Sequence, residues 1–228
     1  MLAAFTLAGG ADAAPLNPAA NIPLAALPAA CRTHPRGGGC EKAVVRALDS
    51  ARARLGLGPY VLPRGFLSLV PARQWLVLAD LDRRAYGLRP ILGLSAALNA
   101  VAHQGAAANA DPNPGPYLQS VGAPALGFAS NWAGGQQNAL IAYYGWMYDD
   151  GYGGPNLDCR SPTDQGCWGH REDILSFRGV HNVVMGAGSV GGRSWALTVV
   201  ATATSYFHLT YSWAQAESAG AGRSGSGG

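Results

Sequence analysis

The apolar positions divide the chain into a helical first half and a strand-forming end. Between Glu41 and Leu55, the residues Val44, Val45, Leu48, Ala51 and Leu55 recur at helical spacing and predict an amphipathic helix. "GLGPYVLP" breaks it. Pro71 opens a second predicted helix, PARQWLVLADLDRRAYGL, with Trp75, Leu78, Leu81 and Ala85 on its inner face. Proline suits the first helical position because no N–H is needed there. Ser95 is a predicted N-cap for a third helix to about Ala108, with Leu98, Val101 and Ala102 inside. Residues 111–135 collect Pro and Gly and predict a loop. A fourth helix is predicted from Gln137 to Tyr148, and a short one from Arg171 to Leu175. Strands are predicted at Asn182–Met185, Trp195–Ala203 and Tyr206–Trp213, with "GAGSVGGR" as the turn between the first two. Helices around a small, mostly antiparallel sheet predict an α+β domain layered as an α-β-α sandwich.

Composition narrows the function classes. Charged residues make up only 13% of the 228 positions, against about a quarter in ordinary domains. The one basic cluster, Arg52, Arg54, Arg64, Arg73, Arg83 and Arg84, lacks interleaved aromatics and is expected to be solvated surface rather than a nucleic-acid track. Only three Glu occur, Glu41, Glu172 and Glu217, which leaves little material for a paired-glutamate mechanism or an acid-rich metal cage. No metal and no cofactor is expected, nor a membrane span, because no apolar run is long enough. The domain is expected to be a monomer.

The four cysteines form two close pairs, Cys31 with Cys40 and Cys159 with Cys167, neither at CxxC spacing. Two small disulfide loops are expected, each contributing roughly 2–3 kcal/mol by loop entropy; the alternative is four free thiols. Residues 1–14, with an apolar start and Ala11-Asp12-Ala13 before Ala14, read as a signal-peptide remnant without its positive n-region. With the cysteine pairs this favours a secreted protein. A Pro- and Ala-rich segment with the first Cys loop follows at 15–40, then a domain at 41–215 and a disordered Gly/Ser tail at 216–228.

Several phrases occur in an informative order: "LDRRAYGLRPI", the Ala-rich helix Leu98–Ala108, "ASNWAGG" before "ALIAYYGWMYDDG", "GHREDIL" at Gly169–Leu175, Gly186-Ala187-Gly188, and "RSWALTVVA". Together they resemble the CAP superfamily, the SCP-like extracellular proteins that include cysteine-rich secretory proteins, antigen 5 and plant pathogenesis-related proteins, over roughly residues 72–204. The resemblance implies a cavity in which metal-binding relatives use two His and two Glu. This chain departs from that set. Ser130 stands where the family's "G-E-N" has Glu, the first family His is missing with Asp111 nearby, and only His170 keeps a motif position. In addition, 23 residues separate Trp146 from His170 and carry Cys159 and Cys167.

His170 is the leading candidate for acid, base or ligand chemistry near neutral pH, against a purely structural role at the start of its helix. Ser130, Asn131 and Asp111 are expected at the cavity wall with it. Ser130 is a candidate nucleophile without a G-x-S-x-G elbow, and Asn131 is expected to brace a loop. Arg171 is expected to anchor the short helix, with Glu172 and Asp173 favourable in its first turn. Asp149, Asp150 and Asp158 are read as turn chemistry rather than a cation site. The expected function is extracellular binding of an unidentified cell-wall component, lipid or protein through a degenerate metal/acid site. The alternatives are a hydrolase on peptide or glycan, with His170 as general base and Ser130 or water attacking, and a structural protein with no site.

Overall fold

The computed structural model describes residues 16–25 and 29–223. The signal-peptide expectation for residues 1–14 and the end of the tail, 224–228, lie outside these. Among the described residues, eight helices surround one five-stranded mixed sheet, an α+β arrangement. The helices are α1 (Ala29–Thr33), α2 (Gly38–Arg54), α3 (Pro71–Ala85), α4 (Ala96–Ala108), α5 (Gly115–Ser120), α6 (Ala139–Tyr148), α7 (Gly169–Ile174) and α8 (Trp213–Ser218). The strands are β1 (Gly93–Ser95), β2 (Ala125–Gly134), β3 (Asn182–Val190), β4 (Ser194–Thr202) and β5 (Leu209–Ser212). Their order is β2-β4-β3-β1-β5; β1 and β3 are parallel and the other pairs antiparallel.

Both faces of the sheet are covered. Leu98 of α4 and Leu118 of α5 pack with Val184 and Val200, while α2, α3 and α6 pack with the alternate positions Val183, Met185, Leu197 and Val199. Every residue of β4 is buried, which explains its near-continuous apolar sequence. Trp75 of α3 meets Trp146 and Trp195 edge-on, with ring centroids 5.0 and 6.0 Å apart.

The predicted helices α2, α3, α4 and α6 form near their expected limits, and five other expectations need correction. Residues 111–135 are not a loop, since they hold α5 and the ten-residue edge strand β2. The sequence of β2 shows no clean alternation because it is an edge strand with a single partner, and its register comes from pairing with β4 from Ala125 to Gly134. "GAGS" is not turn but the second half of β3. A Cβ at Gly186 would lie 2.2 Å from the Leu98 carbonyl, and one at Gly188 would lie 2.3 Å from the His103 amide nitrogen. These glycines therefore let α4 lie directly on the sheet, and the turn shrinks to Gly191–Arg193, with both its glycines at positive φ. The last strand stops at Ser212, which caps α8 in a reciprocal pair with Gln215. The expected tail is ordered at its start: Ala216 and Ala221 are fully buried.

The fifth correction concerns charge. Arg52 and Arg83 are buried, not solvated. Arg52 pairs with the fully buried Asp82, which also accepts from the Tyr60 and Tyr143 hydroxyls at 2.7 and 2.6 Å. Arg83 donates to the carbonyls of Arg89, Ile174 and Ser176. Buried charges persist when they are paired and hydrogen-bonded, and here they tie α2, α3, α6 and α7 together.

Gly186→Ala should lower unfolding free energy by about 2–3 kcal/mol in urea titrations, because the added methyl meets backbone rather than a movable side chain. Gly145→Ala, inside α6 with nothing within 4 Å of the new methyl, should instead be neutral or stabilising by up to about 1 kcal/mol.

Candidate functional site

The site is built where α6 ends and α7 begins. After Tyr148 the chain leaves the helix, and Asp150 turns inward and is almost fully buried. The chain then makes an excursion closed by the Cys159–Cys167 disulfide and returns at Trp168, which adopts positive φ and donates its amide to the Asp150 carbonyl at 3.0 Å. Asp150 Oδ2 accepts the His170 amide at 3.0 Å and the Arg171 amide at 3.4 Å. Trp168 supplies no side-chain cap to α7. Asp150 therefore caps that helix from outside, satisfying donors that a helix start leaves orphaned.

The same carboxylate holds the histidine ring. His170 Nδ1 lies 2.6 Å from Asp150 Oδ1. That bond makes Nδ1 the protonated nitrogen and leaves Nε2 for a ligand. Asn131 of β2 donates to the His170 carbonyl at 2.8 Å, and the Trp146 ring stacks on the imidazole with centroids 6.4 Å apart. Arg171, fully buried, donates to the carbonyls of Leu16 and Met147 and to the Tyr86 hydroxyl. It anchors the helix, as expected.

His170 opens onto a cleft of about 570 Å³. Trp132 and Trp146 line it, together with Leu157 and Asp158, which precede the Cys159–Cys167 loop, and with Asp111 and Asp149. The excursion is braced: Asn156 donates to the carbonyls of Asp150 and Gly166, and Asn21 bonds the amide and carbonyl of Gly151.

Two further carboxylates finish the sheet edge. The backbone amide of Ser130 favours the charged form of Asp173, and that of Trp132 favours the charged form of Asp111. These residues are two apart on β2, so both amides point away from β4 along the unpaired edge. Such an edge invites pairing with another strand, and here two carboxylates lie near it. The short helix starts at Gly169, so only Glu172 falls in its first turn and Asp173, expected there too, does not; Glu172 accepts from Asn17 at 2.6 Å.

Proton affinities in the cluster are displaced together. For His170, burial works to lower the pKa, but the Asp150 hydrogen bond and the charges of Asp150, Asp111 and Asp173 outweigh it and raise the value above 6.5. Burial pushes Asp173 up to about 7, opposed by His170 and reinforced by Asp111. Burial also raises Asp111, although that residue is exposed overall. The cleft can therefore hold and exchange a proton near neutral pH. Among the described residues, no group of three or more His, Cys, Asp or Glu is arranged to hold a metal ion.

No family model matches the chain, and comparison with curated proteins and with solved structures returns no match.

Of the expected cavity residues, His170 and Asp111 line the cleft. Asn131 lies behind it, fully buried. Ser130 does not line it, and its hydroxyl donates to Thr198 at 2.9 Å, which removes the geometric basis for a nucleophile activated by His170. Both disulfides form as paired in the sequence, Cys31–Cys40 and Cys159–Cys167. The residue missed was Asp150, read as turn chemistry. Its distance of 20 residues from His170 left no local signal. His103 is a satisfied helix residue, with Nδ1 3.0 Å from the Ser189 carbonyl oxygen.

Asp150→Asn should move the His170 pKa down toward or below 6.5, because the raising charge is gone; NMR titration of the imidazole Cε1 proton reads this directly. The linkage to stability has one sign. His170 and Asp173 both bind protons more tightly folded than unfolded. Asp173 loses its stabilising protonation as pH rises from about 4 to about 7, and His170 does so from 6.5 through its folded value. Unfolding free energy should therefore fall between pH 5 and 7.5 in urea titrations, and Asp173→Asn should flatten the decline.

Proposed function

We propose that this chain is an exported CAP/SCP-like domain, an α-β-α sandwich, that binds an extracellular cell-wall glycan in the cleft beside His170. Two disulfides suit an oxidising compartment, and no described helix is long and apolar enough to cross a membrane. The observation that carries the reading is the cleft wall. Two indole rings, Trp132 and Trp146, stand beside carboxylates and a hydrogen-bonding imidazole. Flat apolar rings pack against sugar faces, and carboxylates accept from sugar hydroxyls. Among the described lining residues there is no Ser, Thr, Cys or Lys, so the wall offers hydrogen bonds and stacking but no side-chain nucleophile of these kinds. The family's acid pair is replaced, in this reading, by aspartates from three separate segments.

A second reading rests on the His170–Asp150 pair. An imidazole oriented by a carboxylate with its other nitrogen free is the geometry of a general base, and water would be the attacker in a peptide or glycan hydrolase. One experiment separates the two. Soluble cell-wall glycan fragments are titrated against wild type, Trp132→Ala and His170→Ala by tryptophan fluorescence, and the same mixtures are assayed for cleavage. Binding should weaken by about tenfold in each variant, roughly 1.4 kcal/mol, with no cleavage products. Affinity that is equal in all three proteins would refute the cleft as the binding site. Products that vanish in His170→Ala would establish the hydrolase instead.

A further inference from the structure

The charge of the cleft beside His170 is one-sided. Asp111, Asp149, Asp150 and Asp158 line it, and among the described residues its one cationic group is the imidazole of His170. That imidazole is already paired with Asp150. Among the described residues, no Lys or Arg lines the cleft, and none forms an ion pair with Asp111, Asp149 or Asp158. Three carboxylates from three separate segments thus share one cavity of about 570 Å³ without a cation of their own. The whole chain carries a net charge of +3, so the acidity is local to this cleft. Crowding shows in the proton affinities. Burial raises Asp149, and the charge of Asp150 adds to it. Burial raises Asp111 against the opposing charge of His170, and Asp158 adds to it.

The neutral part of the wall points the same way. The indole N–H of Trp132 donates to the Ser194 hydroxyl at 2.9 Å, and that of Trp146 donates to the Trp132 carbonyl at 3.4 Å. Neither ring has a donor left for a ligand. Asn156 donates its amide to the carbonyls of Asp150 and Gly166, and its side-chain oxygen accepts the Asp158 amide at 2.9 Å. The wall is therefore rich in acceptors and in aromatic surface, and poor in donors. An ammonium brings three donors and no acceptor, and it is attracted to the face of an indole.

We propose that the glycan bound in this cleft carries a free ammonium: the ligand is an amino sugar without its N-acetyl group. The inference rests on the reading of the cleft as a glycan site and adds the charge of the sugar. The sugar face packs on an indole ring, and the ammonium meets the carboxylates that no protein cation neutralises. An N-acetylated sugar has lost the charge, keeps a single N–H and adds a carbonyl acceptor to a wall that already has acceptors in excess.

The test is calorimetry on the disulfide-intact full chain with two probes of equal length, a β-1,4-linked glucosamine tetramer and its N-acetylated counterpart, at a pH that keeps the amine protonated. Tetralysine is the control for charge without sugar. Wild type, Trp132→Ala and Asp111→Asn/Asp158→Asn are compared after circular dichroism confirms that each is folded. Both aspartates are exposed, and Asn keeps their shape while removing the charge. Wild type should bind the aminated tetramer about tenfold more tightly than the acetylated one. That ratio should fall toward one in the double variant, while Trp132→Ala should weaken both tetramers together. Equal affinity of wild type for the two tetramers overturns the ammonium, and so does a preference that survives in the double variant; the glycan site still stands in either case if Trp132→Ala weakens both. Tetralysine that binds as tightly as the aminated tetramer also overturns it, since charge then suffices without sugar. Failure of both tetramers to bind, or binding indifferent to Trp132→Ala, refutes the glycan site itself and this inference with it.

Discussion

The Asp150 carboxylate is the constraint on which the site depends. One oxygen takes the two amides that open α7, and the other takes the imidazole of His170. A single side chain thus sets where the helix starts, which tautomer the histidine adopts and which nitrogen faces outward. The arrangement works because Asp150 is almost fully excluded from water, where charge-assisted bonds are stronger than at the surface. Its burial is secured on either side. Arg171 fastens the helix to Met147 at the end of α6, and Asn131 fastens the His170 carbonyl to β2.

The sheet edge supplies the second layer of order. β2 is an edge strand, and its Trp132 and Ser130 amides favour the charged forms of Asp111 and Asp173 beside it. Those acids are then close enough to His170 to feel its charge and each other's. Closing the edge and poising the cleft are therefore one structural act. The same carboxylates that discourage strand addition keep proton affinities near neutrality.

How much of this was legible in the sequence depended on the range of the interaction. The helices α2, α3, α4 and α6 were readable because a 3.6-residue period is local. Arg171 was readable as an anchor because it opens a short helix with few other supports. Asp150 was not, since its partner lies 20 residues away across a disulfide-closed excursion. The edge strand β2 was missed for the same reason: its pairing is with β4, more than 60 residues on. The buried charges of α3 were legible in principle. Leu76, Val77, Leu78, Ala79 and Leu81 cover every side of that helix, and a helix apolar all round is buried. Asp80, Asp82 and Arg83 had nowhere solvated to go. Reading Arg83 as surface followed its charge and ignored its neighbours.

Among the described residues no glutamate lines the cleft, and its carboxylates are all aspartates. Asp150 holds the His170 and Arg171 amides and the imidazole of His170, and this fixes its short side chain in place. What remains available is the proton that His170 and Asp173 share the field to hold. A site built from carboxylates committed to the backbone is suited to recognise a hydrogen-bonding ligand, or to move a proton for it, and its chemistry follows from the same bonds that stabilise the fold.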